Sequence, residues 1–269
     1  MAFLDFYGLE FDPFEKNALL GRQSFESHDH QKALNAMDAA VGRNGFAVIT
    51  ARSGLGKSHA IDRFLASLDT SAHTIGYVAP GMVSANELYR MLCSQFKLDP
   101  SGNKQRLLHS VKNFLQNCFL RKKPAVIVID EAQDLKTETI SELRILMNFD
   151  RDSTNVFSLI LAGEPVLASM IQNKEKLDSL RQRVTSHYNY TGLNNDEVRA
   201  YVNHKLAFAN APDILVDDEA FSILSESSQG ISRTIDHIMS DAFTWGFQMK
   251  RRTIDAEVMQ RAVDSQSLV

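Results

Sequence analysis

The residues with the clearest chemical purpose lie in Ala51-Arg52-Ser53-Gly54-Leu55-Gly56-Lys57-Ser58, between the apolar run Phe46–Thr50 and a helical pattern holding Ile61, Phe64, Leu65 and Leu68. A strand, a glycine-rich turn and a helix start, in that order, make a phosphate cradle. Backbone N–H groups of the turn and of the first helical turn point at phosphate oxygens, and glycines let the backbone come close. The expected nucleotide-binding segment is Ser53, Gly54, Leu55, Gly56, Lys57, Ser58 and His59, with Lys57 reaching the outer phosphates and the Ser58 hydroxyl ligating Mg²⁺. This is the Walker A pattern from its fifth position onward. Ala51 stands where the first glycine is usual, but the later glycines remain.

The second segment is Ala125-Val126-Ile127-Val128-Ile129-Asp130-Glu131. Five apolar residues in succession read as a strand buried on both faces, and its C-terminal end brings an acidic pair beside the phosphate turn of a parallel sheet. Asp130 is expected to hold the magnesium shell, and Glu131 to orient and polarise an attacking water as a general base. An isolated Asp-Glu pair is usually solvated surface. After a buried strand and a Walker A segment, it points to ATP and Mg²⁺ as cofactors and to hydrolysis of ATP to ADP and phosphate.

Hydrolysis also calls for a cation near the transferred phosphoryl group. Arg233, in Gly230-Ile231-Ser232-Arg233, stands at a helix start, and Arg181 and Arg183 stand in Leu180-Arg181-Gln182-Arg183. Spacing alone leaves each open between this role and that of a surface arginine.

The elements that must position these groups alternate along the chain. Strands are expected at Phe46–Thr50, Thr74–Ala79, Ala125–Ile129 and Val156–Leu161, with a more polar, edge-like one at His187–Tyr190. Helices are expected at Ser27–Val41, after the glycine turn, at Ala85–Phe96, at Lys104–Leu120 and at Thr137–Phe149. Four or five buried strands alternating with helices imply a mostly parallel sheet covered on both faces. From Asn194 onward only helical patterns remain, and Asn194-Asn195-Asp196-Glu197 suits a helix start. Two domains follow: 1–193, nucleotide-binding and carrying the N-terminal aromatic segment Phe3, Phe6, Tyr7, Phe11 and Phe14, and 194–269, a helical lid.

With 269 residues, 44% hydrophobic and 23% charged, the chain is long enough for both, and its net charge of -4 excludes a global cationic field. Cys93 and Cys118 lie among apolar helical positions and read as buried thiols. The acidic, aromatic opening lacks the features of a signal peptide, and no run of 18 apolar residues exists, so a cytoplasmic protein with no membrane contact is expected.

Six motifs in order carry a family resemblance. They are the opening Leu4-Asp5-Phe6-Tyr7-Gly8-Leu9 with Phe11-Asp12-Pro13-Phe14, then Asp130-Glu131-Ala132-Gln133-Asp134-Leu135, Glu142-Leu143-Arg144, Leu161-Ala162-Gly163-Glu164-Pro165, Leu180-Arg181-Gln182-Arg183 and Gly230-Ile231-Ser232-Arg233. Over nearly its whole length the chain resembles the ExeA, TniB and TnsC group of AAA+ ATPases. The resemblance implies a P-loop NTPase with a three-layer α/β/α core and a small all-helical lid, and homo-oligomers, rings or filaments, with ATP between subunits. It makes Arg233 the sensor-2 arginine and Arg183 the preferred arginine finger, with Arg181 as the alternative. Typical AAA+ proteins place Asn or Thr at the end of the fourth strand to sense the γ-phosphate. Here Gly163-Glu164 stands there, leaving Glu164 as the candidate.

Members of the group divide by task. A compact chain without membrane or cell-wall modules resembles the TniB and TnsC type, which implies an ATP-dependent oligomer on duplex DNA that recruits or activates a DDE-type transposase. The alternatives are an ExeA-like secretion-associated ATPase, a loader of the DnaC and IstB kind, or a nucleotide-switched scaffold that touches no DNA. Candidate DNA contacts are Lys104, Arg106, Arg121, Lys122 and Lys123, reading backbone and shape rather than bases.

Overall fold

Five strands, β1 (Phe46–Thr50), β2 (Thr74–Val78), β3 (Ala125–Ile129), β4 (Phe157–Gly163) and β5 (Val184–Asn189), pair in the order β2-β3-β4-β1-β5, and every pair is parallel. The three central strands β3, β4 and β1 are buried at every position. Only a sheet covered on both faces can hold such runs. The edge strand β5 instead alternates between half-buried and exposed positions. This computed structural model describes residues 2–15, 18, 25–149, 155–212 and 215–266. They form two compact units, His30–Tyr190 and the remainder, residues up to Asp29 together with Thr191 onward.

In the first unit the strands separate two packed layers. Phe46, Val48, Ala125, Ile127, Ile129, Phe157, Leu159 and Leu161 share one core with α4 (Ala85–Gln95), α5 (Lys104–Leu120), α6 (Thr137–Leu146), α7 (Pro165–Asn173) and the short α8 (Asp178–Arg181). The alternate positions Ala47, Ile49, Val126, Val128, Ile160 and Ala162 are just as buried, and the period of two turns them to the opposite face. On α2 (His28–Val41) and α3 (Lys57–Ser67), Ala33, Met37, Ala40, Ala60, Ile61 and Phe64 are buried outside that first core, and the Ser186 hydroxyl donates to the Ala36 carbonyl at 2.8 Å. The result is the expected P-loop architecture, a parallel sheet between helices. Cys93 and Cys118 are buried free thiols.

The second unit is helical: α1 (Ala2–Tyr7), α9 (Asn195–Phe208), α10 (Asp218–Ser228), α11 (Ser232–Gln248) and α12 (Ala256–Gln266). A capping box at Asn194 and Glu197 starts α9, as its sequence predicts. The N-terminal aromatic segment belongs here rather than to the nucleotide-binding unit, a correction to the expected boundary. Phe3, Tyr7 and Phe14 surround Phe243 of α11 with ring centroids 6.4, 4.9 and 5.9 Å away, and the Tyr7 hydroxyl donates to the Arg251 carbonyl at 2.8 Å. Aromatics that the strand-rich unit does not bury thus complete the core of the helical one.

Candidate phosphate-binding site

The turn between β1 and α3 begins inside the sheet. The Ala51 N–H donates to the Gly163 carbonyl at 3.0 Å and its side chain is fully buried, so this residue extends the β1–β4 pairing. No glycine is needed there. Just before it, the buried Thr50 donates its hydroxyl to Asn189 Oδ1 at 2.9 Å and lies 3.5 Å from His187 Nε2, pinning the end of β1 to the end of β5. Gly54 and Gly56 both take positive φ, 87° and 88°. A side chain at Gly56 would meet no atom within 4 Å, so backbone conformation, not space, selects glycine there. Leu55 is buried, Ser53 and Ser58 are exposed, the latter in the first turn of α3, and Gly54 is half-buried.

Lys57, the first residue of α3, is buried, and its ammonium bonds Asp130 Oδ1 directly and Glu131 Oε1 at 3.1 Å. Asp130, also buried, is further held by the Tyr77 hydroxyl at Oδ2, 3.3 Å away. Burial and then the neighbouring Asp130 push the Tyr77 hydroxyl up to about 12. Glu131 has φ 50° and ψ 38°, a left-handed conformation uncommon for a residue with a side chain, and its N–H donates back to Asp130 Oδ1 at 2.8 Å. Burial raises its carboxyl, but hydrogen bonds from Gln133 and Lys57 and the lysine charge outweigh that and leave it below the usual carboxylate range. The Gln133 amide nitrogen donates to Glu131 Oε2 at 2.7 Å, and its amide oxygen accepts the Glu164 N–H at 3.0 Å.

The remaining predicted residues lie around or away from this centre. His59 follows in α3 with its ring 5.2 Å from that of His30, and burial followed by the Arg63 charge lowers its basicity. Glu164 caps α7 without a side-chain hydrogen bond to the helix, so its backbone, not its carboxylate, is tied to the centre. Arg183 directly precedes β5, at the sheet end opposite the phosphate turn, and donates to Asn148 Oδ1 and, at 3.4 Å, to the Met147 carbonyl. Arg181 donates to the Gln172 carbonyl at 2.6 Å and pairs with Asp178 at 3.1 Å. Arg233 is the second residue of α11, in the helical unit. Lys104 pairs with Glu142 at 3.0 Å and Arg106 with Asp99 at 2.7 Å. Arg121, Lys122 and Lys123 form the turn before β3 and pair with no described acidic side chain.

Sequence reasoning missed Gln133, Tyr77, Thr50 and Asn189. Only Gln133 carried a signal, its place two residues after the acidic pair.

Residues 40–171 match the AAA domain family. The matched stretch holds the phosphate turn and the acidic pair, and the fold is that of a P-loop ATPase, a parallel sheet between helices. Over 248 residues, 91% of its length, the chain is 27% identical to General secretion pathway protein A of Aeromonas hydrophila, of which it spans 45%. Among solved structures it resembles Cdc6p of Pyrobaculum aerophilum (TM-score 0.69, 14% identity, 94% of this chain and 70% of that one). It also resembles the ORC2 protein of Aeropyrum pernix (TM-score 0.63, 15% identity, 95% and 71%). A third likeness is to the RuvB Holliday junction branch migration motor of Thermotoga maritima (TM-score 0.55, 15% identity, 94% and 72%). At these identities the structural likeness speaks for the fold. Among the described residues, no helix is long and apolar enough to cross a membrane.

The donor set fits a magnesium ion shared with phosphates. Asp130 and Ser58 offer hard oxygens, while no described group of three His, Cys, Asp or Glu side chains could hold a metal unaided. Magnesium commonly takes one or two protein oxygens and completes its shell with phosphate and water.

Proposed function

We propose that this chain binds Mg²⁺-ATP and hydrolyses it as the motor or switch of a secretion-associated assembly of the General secretion pathway protein A kind. The observation that carries the ATPase part is the convergence of Lys57, at the phosphate turn after β1, with Asp130 and Glu131, at the C-terminal end of β3, the two strands that flank β4. In this reading Lys57 leaves its carboxylates for the outer phosphates, and the turn's N–H groups hold phosphate oxygens. Ser58 and Asp130 would hold the magnesium, which would supply charge to offset that of the phosphates. Glu131 accepts a proton from the attacking water or aligns it. The Gln133 hydrogen bond, which stays when Lys57 departs, favours the basic form that this requires. Arg183 lies too far along the sheet to reach its own subunit's phosphates, which supports a role at a neighbour's site in an ATP-bridged homo-oligomer.

The secretion reading stands on the relative that spans nine-tenths of the chain. A second reading, an oligomer on duplex DNA, stands on the exposed basic turn of Arg121 and Lys122, and its DDE-type transposase partner on the TniB-like sequence resemblance alone. Lys104 and Arg106 support it less, because each already faces a carboxylate.

The deciding measurements are ATP turnover and equilibrium ATP binding for the wild type, Lys57→Ala and Glu131→Gln. Lys57→Ala is expected to lose tight binding. Glu131→Gln is expected to bind normally and to lose turnover by roughly a hundredfold or more. Unchanged turnover in Glu131→Gln refutes the site. Fluorescence anisotropy with unrelated duplexes, with and without a non-hydrolysable ATP analogue, at about 50 and 200 mM salt separates the two tasks. Nucleotide-dependent, salt-sensitive binding supports the DNA reading, and its absence under low salt leaves the secretion reading.

A further inference from the structure

Gln133 joins two parts of the site that hydrolysis must keep in register. It lies in the 3-10 turn Ala132–Asp134, immediately after the acidic pair. One end of its amide donates to Glu131 Oε2 at 2.7 Å, and the other accepts the backbone N–H of Glu164, at the end of β4, at 3.0 Å. Lys57 takes the remaining carboxylate oxygen of Glu131 at 3.1 Å. The Glu131 side chain is 44% exposed, so packing does not fix its rotamer; these two donors do. Gly163 supplies independent evidence. A Cβ built there would collide first with Gln133 Oε1, and would stand 3.0 Å from Leu167 Cδ2 and 3.3 Å from the Gln133 backbone nitrogen. The last residue of β4 is therefore shaped to admit this amide.

We infer that Gln133 is a positioning residue for hydrolysis, holding the Glu131 carboxylate and linking its orientation to the junction of β4 and α7. The role rests on the reading of Glu131 given above. Only an amide of this length suits it. A glutamate keeps the acceptor for Glu164 but sets a second carboxylate against Glu131, and an asparagine is one methylene short of spanning both partners. A shift of the β4–α7 junction would reach Glu131 through this one side chain.

The test compares wild type, Gln133→Ala, Gln133→Glu, Gly163→Ala and the Gly163→Ala/Gln133→Ala double variant for ATP turnover and, separately, for equilibrium ATP affinity. A hydrogen bond to a charged group implies a fall in kcat of about tenfold to a hundredfold in Gln133→Ala. ATP affinity should stay within about threefold of wild type, since the amide touches no phosphate-binding group except through Glu131. Gln133→Glu is expected to be at least as slow. Gly163→Ala should be slow as well, and the two losses should be clearly less than additive in the double variant, because both substitutions break the same Gln133 contact. Wild-type turnover in Gln133→Ala, additive losses in the double variant, or equal losses of affinity and turnover would each overturn the positioning role. A wild-type chain that binds ATP and never turns it over would instead refute the hydrolysis reading beneath it, so the wild-type rate tells the two failures apart.

Discussion

Replacing Asp130 by asparagine tests the ion pair at the centre of the site, and the two directions of its effect are what make it informative. The side chains of Lys57 and Asp130 are 9% and 5% exposed, and Lys57 also reaches Glu131 at 3.1 Å. Lys57 must give up these partners before it can serve a phosphate. A charge-assisted hydrogen bond between groups this well shielded contributes about 1.5–3 kcal/mol net, and a neutral amide oxygen roughly half as much. The difference, on the order of 0.8–1.5 kcal/mol, is released when asparagine holds the lysine less tightly, which corresponds to about four- to twelvefold tighter binding of metal-free ATP. Removing a negative charge near the phosphates acts in the same direction. Glu131 remains as a competitor, which keeps the gain within that range.

With magnesium the sign reverses. Asp130 is the carboxylate proposed for the ion's shell, and an amide is a poorer ligand for a hard divalent cation. The wild type is therefore expected to bind ATP more tightly with Mg²⁺ than with EDTA, and Asp130→Asn to lose most of that difference. Titration of a fluorescent ATP analogue under both conditions reads the two effects in one experiment. A circular-dichroism melt confirms folding, since the Tyr77 hydroxyl and the Glu131 N–H both donate to Asp130. A folded variant with unchanged or weaker affinity in EDTA would refute the claim that Asp130 holds Lys57 back from the nucleotide.

Two further outcomes follow from the fold. Phe243→Ala removes a fully buried ring packed against Phe3, Tyr7 and Phe14 and is expected to destabilise the helical unit by about 3–5 kcal/mol; a loss under about 1 kcal/mol in denaturant melts would contradict the packing. Mixing Arg183→Ala with Lys57→Ala is expected to restore part of the ATP turnover, because one variant keeps the phosphate site and the other keeps the arginine. Absence of rescue in a mixture shown to co-assemble would remove Arg183 from the neighbour's site.

Much of the first unit was legible because its signals are local. Phe46–Thr50, Ala125–Ile129 and Lys104–Leu120 match the elements residue for residue, each being an unbroken apolar run or a strongly amphipathic helix with clear punctuation. β5 starts three residues before the expected His187, since its exposed Thr185 and His187 dilute the apolar pattern of an edge strand. The sequence reading omits α7, although Pro165 at its first position and Leu167 and Ile171 on its buried side are a sound helix signal. The N-terminal aromatics show that something must bury them, but not what. Their partner Phe243 lies more than two hundred residues away, and no periodicity reports a contact of that separation.

The same distinction explains why the role of the acidic pair was readable and that of Gln133 was not, although its place beside the pair was. Asp130 and Glu131 announce themselves by charge at the end of an apolar strand. Gln133 is an ordinary polar residue until the pairing of β3 with β4 is known. That register sets Ile129 level with Leu161. Two residues further along each chain lie Glu131 and Gly163, so the turn carrying Gln133 is laid against the one position of β4 that has no side chain. Neither the bond to the Glu164 N–H nor the need for a glycine follows from the motif by itself. Both follow once β3 and β4, separated in the chain by α6, are placed side by side. The chemistry of the acidic pair is thus written locally, while the geometry that aims Glu131 is a property of the sheet.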